Sequence, residues 1–320
     1  MKIFLKKIVF FAVILVFSCC AVVALHTVVV GNQYSQGYQA GIVDKMHRLR
    51  TIDEPKIILV GHSNLAFGID SVQLEAALGM PVVNLGFHGA MANAFHENIA
   101  KEYINEGDVV VVCHSSFAGD ATIYDGYLAL TILVNCPEIA GAFQKEDYSI
   151  MLRSYPEYWR KSLFSWVTGD GTRIPEDSYA RSAFNAYGDI VYRPESYRME
   201  PDSFFSTAEV PLPAIDDACV ERLNEYNHYI TSRGATLVVA GYPIAYGKYS
   251  TFNEGTFDAF EELLRARLDC DVISHYTDYF YPYEFFYDTE MHLTYEGMTA
   301  RTTQLITDLT AWDPMRFSVP

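Results

Sequence analysis

Two segments far apart along the chain carry residues with the types and surroundings for nucleophilic acyl chemistry. Ser63 stands in Gly61-His62-Ser63-Asn64, directly after the apolar stretch Ile57 to Val60. His292 stands in Asp288-Thr289-Glu290-Met291-His292-Leu293-Thr294, just ahead of a helical pattern. A serine hydroxyl is a weak nucleophile until a neutral imidazole takes its proton, and a carboxylate must hold that imidazole in the right tautomer and stabilise the imidazolium. Asp288, four residues before His292, is the preferred carboxylate; Glu290, two residues before it, is the competing one. A serine after a strand also suits a plain helix N-cap, so the histidine block is what makes Ser63 a candidate nucleophile.

A tetrahedral intermediate also needs hydrogen-bond donors aimed at its developing negative charge. The loop Asn84-Leu85-Gly86-Phe87-His88-Gly89 follows a second apolar stretch, so the backbone amides of Gly86 or Gly89, together with that of Ser63, are oxyanion candidates, with the Asn84 side chain as a further donor. The competing reading is that these glycines only shape a turn. His88, His96 and His114 have no acidic residue at ligand spacing, and Cys113, Cys136, Cys219 and Cys270 form no Cys-x-x-Cys pair. No metal and no cofactor is therefore expected.

These groups need elements to carry them. Lys56 opens the folded domain, and Ile57 to Val60, Pro81 to Leu85 and Val109 to Cys113 are short runs apolar on both faces, which is how strands of a buried parallel sheet read. Helices are expected at Ser71 to Leu78, stopped by Gly79, and at Ala90 to Asn105. The alternation returns with helices at 214–232, 257–268 and 294–309 and strands at 236–240 and 271–273. The fold class is α/β, a doubly wound, mainly parallel sheet. An insertion at about 118–213, rich in Tyr, Trp, Phe, Arg and Pro, is expected to cap the strand ends, and its aromatics suit either sugar stacking or a core of its own. Residues 31–55 read as a juxtamembrane stalk or short helix, 56–310 as the main domain and 311–320 as a tail.

At the N-terminus, Ile8 to Leu25 is an uncharged apolar run preceded by Lys2, Lys6 and Lys7. About 20 such residues cross a bilayer core. The run continues past Cys19 and Cys20 and resumes at Val28, which favours an uncleaved transmembrane anchor (residues 1–30 with its tip) over a cleaved signal peptide. The lysines would stay cytoplasmic, leaving the main domain outside. The net charge of -17 is larger still without those lysines. So acidic a body repels nucleic acid and anionic headgroups, leaving the bilayer around the N-terminal helix as the expected lipid contact.

Taken in order, Gly61-His62-Ser63, the Asn84 to Gly89 loop and Asp288 to His292 resemble the first, second and last blocks of the SGNH/GDSL hydrolases, and within them the membrane-anchored relatives that act on cell-surface polymers. The resemblance covers about 56–117 and 214–310. It implies a flavodoxin-like sandwich and a serine esterase or O-acyltransferase working on acyl groups of an envelope glycan or polymer. It departs from the family's pattern in three places: His114-Ser115-Ser116 stands where the third block carries an asparagine donor, His62 where an aspartate is common, and the acid precedes His292 by four positions where three is usual. The missing asparagine leaves open a different class of function, an accessory protein that binds polymer or docks on a membrane-embedded acyltransferase. The nucleophile elbow of other α/β hydrolases fits less well, since Leu65 occupies its second glycine position.

Overall fold

In a computed structural model, residues 2–119, 121–198, 200, 214–245 and 254–317 are described. The insertion's last part, 201–213, and the end of the expected tail, 318–320, lie outside them.

Five strands form one parallel sheet: β1 (Ile57–Val60), β2 (Val82–Asn84), β3 (Val109–Val112), β4 (Thr236–Val239) and β6 (Asp271–Val272), in the order β2-β1-β3-β4-β6. The short β5 (Ile244–Ala245) and β7 (Phe280–Tyr281) pair separately, also parallel. Ile58 lies opposite Val83 and Val110, and Val110 opposite Leu237, so the apolar runs stack in register across the sheet. Side chains alternate between two cores because strand residues point to opposite faces in turn. Ile58, Val60, Val110 and Val112 face one core, and Ile57, Leu59, Val109 and Val111 the other. Each such buried side chain contributes roughly 1.5–3 kcal/mol relative to exposure.

Helices cover both faces. Against the first core lie α2 (Gly41–Thr51), α5 (Ala92–Asn98), α6 (Gly126–Asn135), α8 (Asp217–Ser232) and α9 (Glu254–Arg267). Against the second lie α4 (Ser71–Leu78) and α10 (Tyr295–Trp312). The remaining helices are α1 (Lys2–Val29), the short α3 (Ser63–Ala66) and the long α7 (Lys145–Thr168). α4 ends as its sequence dictates: Gly79 adopts φ 68°, the left-handed C-cap conformation that costs other residues a steric clash. At the amino end of the sheet Lys56 Nζ meets Asp108 Oδ2 at 3.1 Å with both side chains fully buried, joining the starts of β1 and β3. Removing either partner would strand a charge, at a cost of about 3–5 kcal/mol.

Three expectations change. The helix read at 90–105 breaks into a turn at Gly89–Met91, α5 ending at Asn98, and a further turn at Lys101–Tyr103. The break sits at Ala92, whose φ of 58° no continuous helix accommodates. Residues 31–55, expected as a stalk or short helix, do hold a short helix, α2, but its Ile42, Met46 and Leu49 are part of the first core, so the folded body begins before Lys56. The expected tail from 311 is partly α10, and Phe317 is buried in the second core. α1 is long and apolar enough to cross a membrane, and its apolar stretch is uncovered by the rest of the protein.

Candidate active site

The sheet order places β1 between β2 and β3, and the chain visits its two neighbours on opposite sides. Ligand sites in open α/β sheets lie at such a reversal, beyond the carboxyl ends of the strands. Ser63 follows β1 there, half-buried, as the first residue of α3. Its turn is held from below by Arg301 on α10, a fully buried guanidinium that donates from Nη1 to the Asn64 carbonyl at 2.5 Å and from Nη2 to Asn64 Oδ1 at 3.3 Å.

His292 Nε2 lies 2.8 Å from Ser63 Oγ, and its Nδ1 lies 2.7 Å from Asp288 Oδ1. The carboxylate can only accept, so Nδ1 carries the proton and Nε2 is the acceptor for the serine hydroxyl. Glu290, the competing acid, is not the partner of this imidazole. The four-residue spacing works because 285–294 is a closed loop and not a helix. Thr289 Oγ1 accepts from the amides of Met291 and His292 at 3.2 and 3.1 Å, and Tyr287 N donates to the His292 carbonyl at 2.9 Å. Burial pushes the Asp288 carboxyl up, but the hydrogen bond and charge of His292, with help from Tyr179, outweigh it and hold the group below the usual carboxylate range.

Two further residues shape the site. Phe67 lies flat on the imidazole, with ring centroids 4.0 Å apart and planes at 7°, and is tethered in turn by Arg193 Nη2 donating to its carbonyl at 2.7 Å. Tyr179, from the insertion, donates its hydroxyl to Asp288 Oδ2 at 2.6 Å, filling the oxygen that His292 leaves free. Burial and the neighbouring Asp288 push the Tyr179 phenol up, so it stays a donor. The ring of Tyr38, ahead of α2, packs 5.8 Å from that of Tyr179. None of these was visible in the sequence: Phe67 reads as one more apolar residue four positions after Ser63, and Tyr179 as one aromatic among many.

The β2 side is different. Asn84 donates to the Leu65 carbonyl at 3.0 Å and to Asp189 Oδ1 at 2.8 Å, while its Oδ1 accepts the Gly86 amide at 2.9 Å. Neither the Asn84 carboxamide nor the Gly86 amide is left to face an oxyanion. Gly86 is instead required for packing, since a Cβ there would lie 2.4 Å from Leu65 Cβ. The Gly89 amide has no hydrogen-bond partner among the described residues, and with the Ser63 amide it is the donor set that remains.

After β3, His114 is wholly buried and bonded at 3.0 Å to Glu97, which Arg222 also holds at 2.9 Å. The rings of His96 and His114 pack 4.9 and 6.0 Å from that of His62. Burial lowers the affinity of both His96 and His114 for a proton. Asn93 Nδ2 reaches the Ser116 carbonyl at 2.9 Å, tying α5 to the segment where the third-block asparagine was sought. Cys113, Cys136, Cys219 and Cys270 are all free thiols. No family model matches the chain, and no curated protein matches it.

Proposed function

We propose that this protein is a membrane-anchored serine esterase or O-acyltransferase of SGNH type, acting outside the cytoplasm on acyl groups of a cell-envelope glycan or polymer. The observation that carries the reading is the hydrogen-bonded chain from Ser63 Oγ through His292 to Asp288, at 2.8 and 2.7 Å. In this mechanism His292 takes the Ser63 proton as Oγ attacks the acyl carbonyl, and Asp288 stabilises the resulting imidazolium. The protonated His292 then gives its proton to the leaving alcohol. Water or a sugar hydroxyl, deprotonated by the same imidazole, releases the acyl group from Ser63. The flat contact of Phe67 keeps the imidazole in one plane, and Tyr179 keeps the Asp288 carboxylate turned toward it.

The sheet order supports the flavodoxin-like frame, and α1 with its flanking lysines supports an anchor whose N-terminal tip is cytoplasmic. The aromatic insertion, through Tyr179, would serve as a cap over the strand ends. A second reading, an accessory protein that binds polymer or serves a membrane acyltransferase, rests on the inward-turned Asn84 and Gly86, which leave few donors for an oxyanion. Hydrolysis of p-nitrophenyl acetate by the detergent-solubilised full chain tests the choice. Activity that Ser63→Ala and His292→Ala both abolish supports the enzyme; none in a well-folded protein that also resists fluorophosphonate labelling favours the accessory role.

A further inference from the structure

The end of α1 is not free of the folded body. His26, on its last turn, is buried with its ring 5.5 Å from that of Trp159 on α7. Just beyond, Asn32 Nδ2 donates to Asn135 Oδ1 at 2.6 Å, and Gln33 packs so closely on Gly171 that a Cβ there would lie 2.4 Å from the Gln33 carbonyl oxygen. The anchor therefore leaves the membrane against the α6–α7 pair, which fixes where that pair stands relative to the bilayer.

The level follows from length. A bilayer core of about 30 Å takes about 20 residues at roughly 1.5 Å each. Counted from Lys7, the last of the basic residues, those residues end near Thr27, beside the His26 that packs on Trp159. Trp159 thus stands at the headgroup level, the depth that tryptophan favours. From Trp159, α7 runs on through nearly three turns to Gly169, about 15 Å along its axis. Those turns expose Phe164 (64%), Trp166 (47%) and Val167 (71%), and Ile174 (58%) follows shortly after the helix. Arg153 and Arg160 are exposed on the same helix, and Lys161 lies close by. In a chain with a net charge of -17, residues 151–168 carry these three basic side chains against the single Glu157.

We infer that the carboxyl-terminal turns of α7, led by Phe164, Trp166 and Val167, lie in the outer membrane interface beside the anchor, giving the protein a second lipid contact. The inference rests on α1 being the anchor. The occupant is the bilayer because this apolar surface lies on the same helix on which the end of α1 packs, less than three turns beyond the His26–Trp159 contact. Its consequence is positional. Tyr38 lies eight positions after Val30, at most about 29 Å of chain, and Tyr38 packs on Tyr179, which bonds to Asp288. The triad is thereby held close above the membrane surface, within reach of a membrane-embedded acyl donor.

The chain has three tryptophans, Trp159, Trp166 and Trp312, which permits a direct test. The full-length protein is reconstituted in phosphatidylcholine vesicles, with and without lipid brominated near the headgroup end of its acyl chains. One variant, Trp159→Phe with Trp312→Phe, keeps Trp166; another, Trp159→Phe with Trp166→Phe, keeps Trp312. Blue-shifted Trp166 emission strongly quenched by the brominated lipid, beside unquenched Trp312, is the expected result. Unquenched Trp166 in a chain that resists alkaline carbonate extraction would overturn the second contact while leaving the anchor intact. Extraction by carbonate would overturn the anchor, and the inference with it. Trp166 emission that is unquenched but shifts with protein-to-lipid ratio would assign the surface to a second copy of the chain and overturn the bilayer as its occupant.

Discussion

The two flanks of Ser63 are built to different degrees. On the His292 flank each polar atom of the relay has its partner: Ser63 Oγ on Nε2, Asp288 on Nδ1, Tyr179 on the second carboxylate oxygen, and a phenyl ring flat against the imidazole. On the β2 flank the donors expected to face the substrate turn inward, and Asn84 and Gly86 lock the loop to α3 and to Asp189. Activating a nucleophile and stabilising an oxyanion are thus separable demands on a fold. The first needs side chains brought together from distant positions; the second needs backbone amides left unoccupied. In the proposed enzyme the Ser63–His292–Asp288 chain would meet the first, and the second narrows to the Ser63 and Gly89 amides.

Breaking the relay flank should have the largest effect. Ser63→Ala and His292→Ala are each expected to lower kcat for ester hydrolysis by roughly 10⁴-fold or more, with unchanged circular dichroism, because the members act as a unit. Retained turnover in Ser63→Ala would remove the serine from the mechanism. Asp288→Asn, which keeps the shape but lets the imidazole take the wrong tautomer, is expected to cost about 10³–10⁴-fold, whereas Glu290→Gln should leave kcat within about twofold if Asp288 alone orients the ring.

The other flank is tested by deleting a single N–H. Gly89→Pro removes the amide at the first position of a short helical turn, where proline is tolerated, and the preceding His88 already has the extended conformation that proline requires (φ -64°, ψ 126°). A loss of about 10²–10³-fold in kcat is expected. Gly89→Ala is the control, since its Cβ would meet nothing closer than 3.8 Å; equal rates in the two variants would exclude this amide as a donor. Tyr179→Phe sharpens the comparison from the relay side. Loss of one hydrogen bond to a carboxylate is expected to lower kcat about tenfold, at roughly 1.5 kcal/mol.

The smallest effect concerns the loop's foundation. Lys45 on α2 donates to the carbonyls of Asn84 and Gly188 at 2.9 and 2.5 Å, and burial, partly offset by Asp189, lowers its pKa to about 7. The unfolded lysine holds its proton to a much higher pH, so the unfolded state binds more protons above pH 7, and stability must rise with pH there. The Tm of the wild type should therefore climb from pH 7 to pH 9 relative to that of Lys45→Met; parallel curves would mean that Lys45 is charged in the folded state throughout.

Much of this protein was written locally. Ile57 to Val60 and Val109 to Cys113 are apolar on both faces and become paired central strands, and Gly79 ends α4 where its left-handed freedom was expected to end it. The serine and histidine blocks were recognisable because each combines a reactive residue type with a strand end or a helix start. Other features escaped a local reading. Ala92 has an ordinary helix former's side chain but a positive φ, and it cuts the turn at Gly89–Met91 off from α5. α2 mixes apolar and charged residues, and only the fold shows that Ile42, Met46 and Leu49, with the Lys45 side chain beside them, face inward.

By itself the sequence determined the period of each element, the strand ends and the chemical types at Ser63, Asp288 and His292, since these depend on neighbours a few positions away. The tertiary structure alone decided which carboxylate meets His292 and which glycine amide remains unoccupied. It also brought Phe67 and Tyr179 to the site and laid α7 beside the end of α1. Those outcomes depend on contacts between residues up to 229 positions apart, where hydrogen-bond satisfaction and close packing in three dimensions, not local periodicity, select the partner.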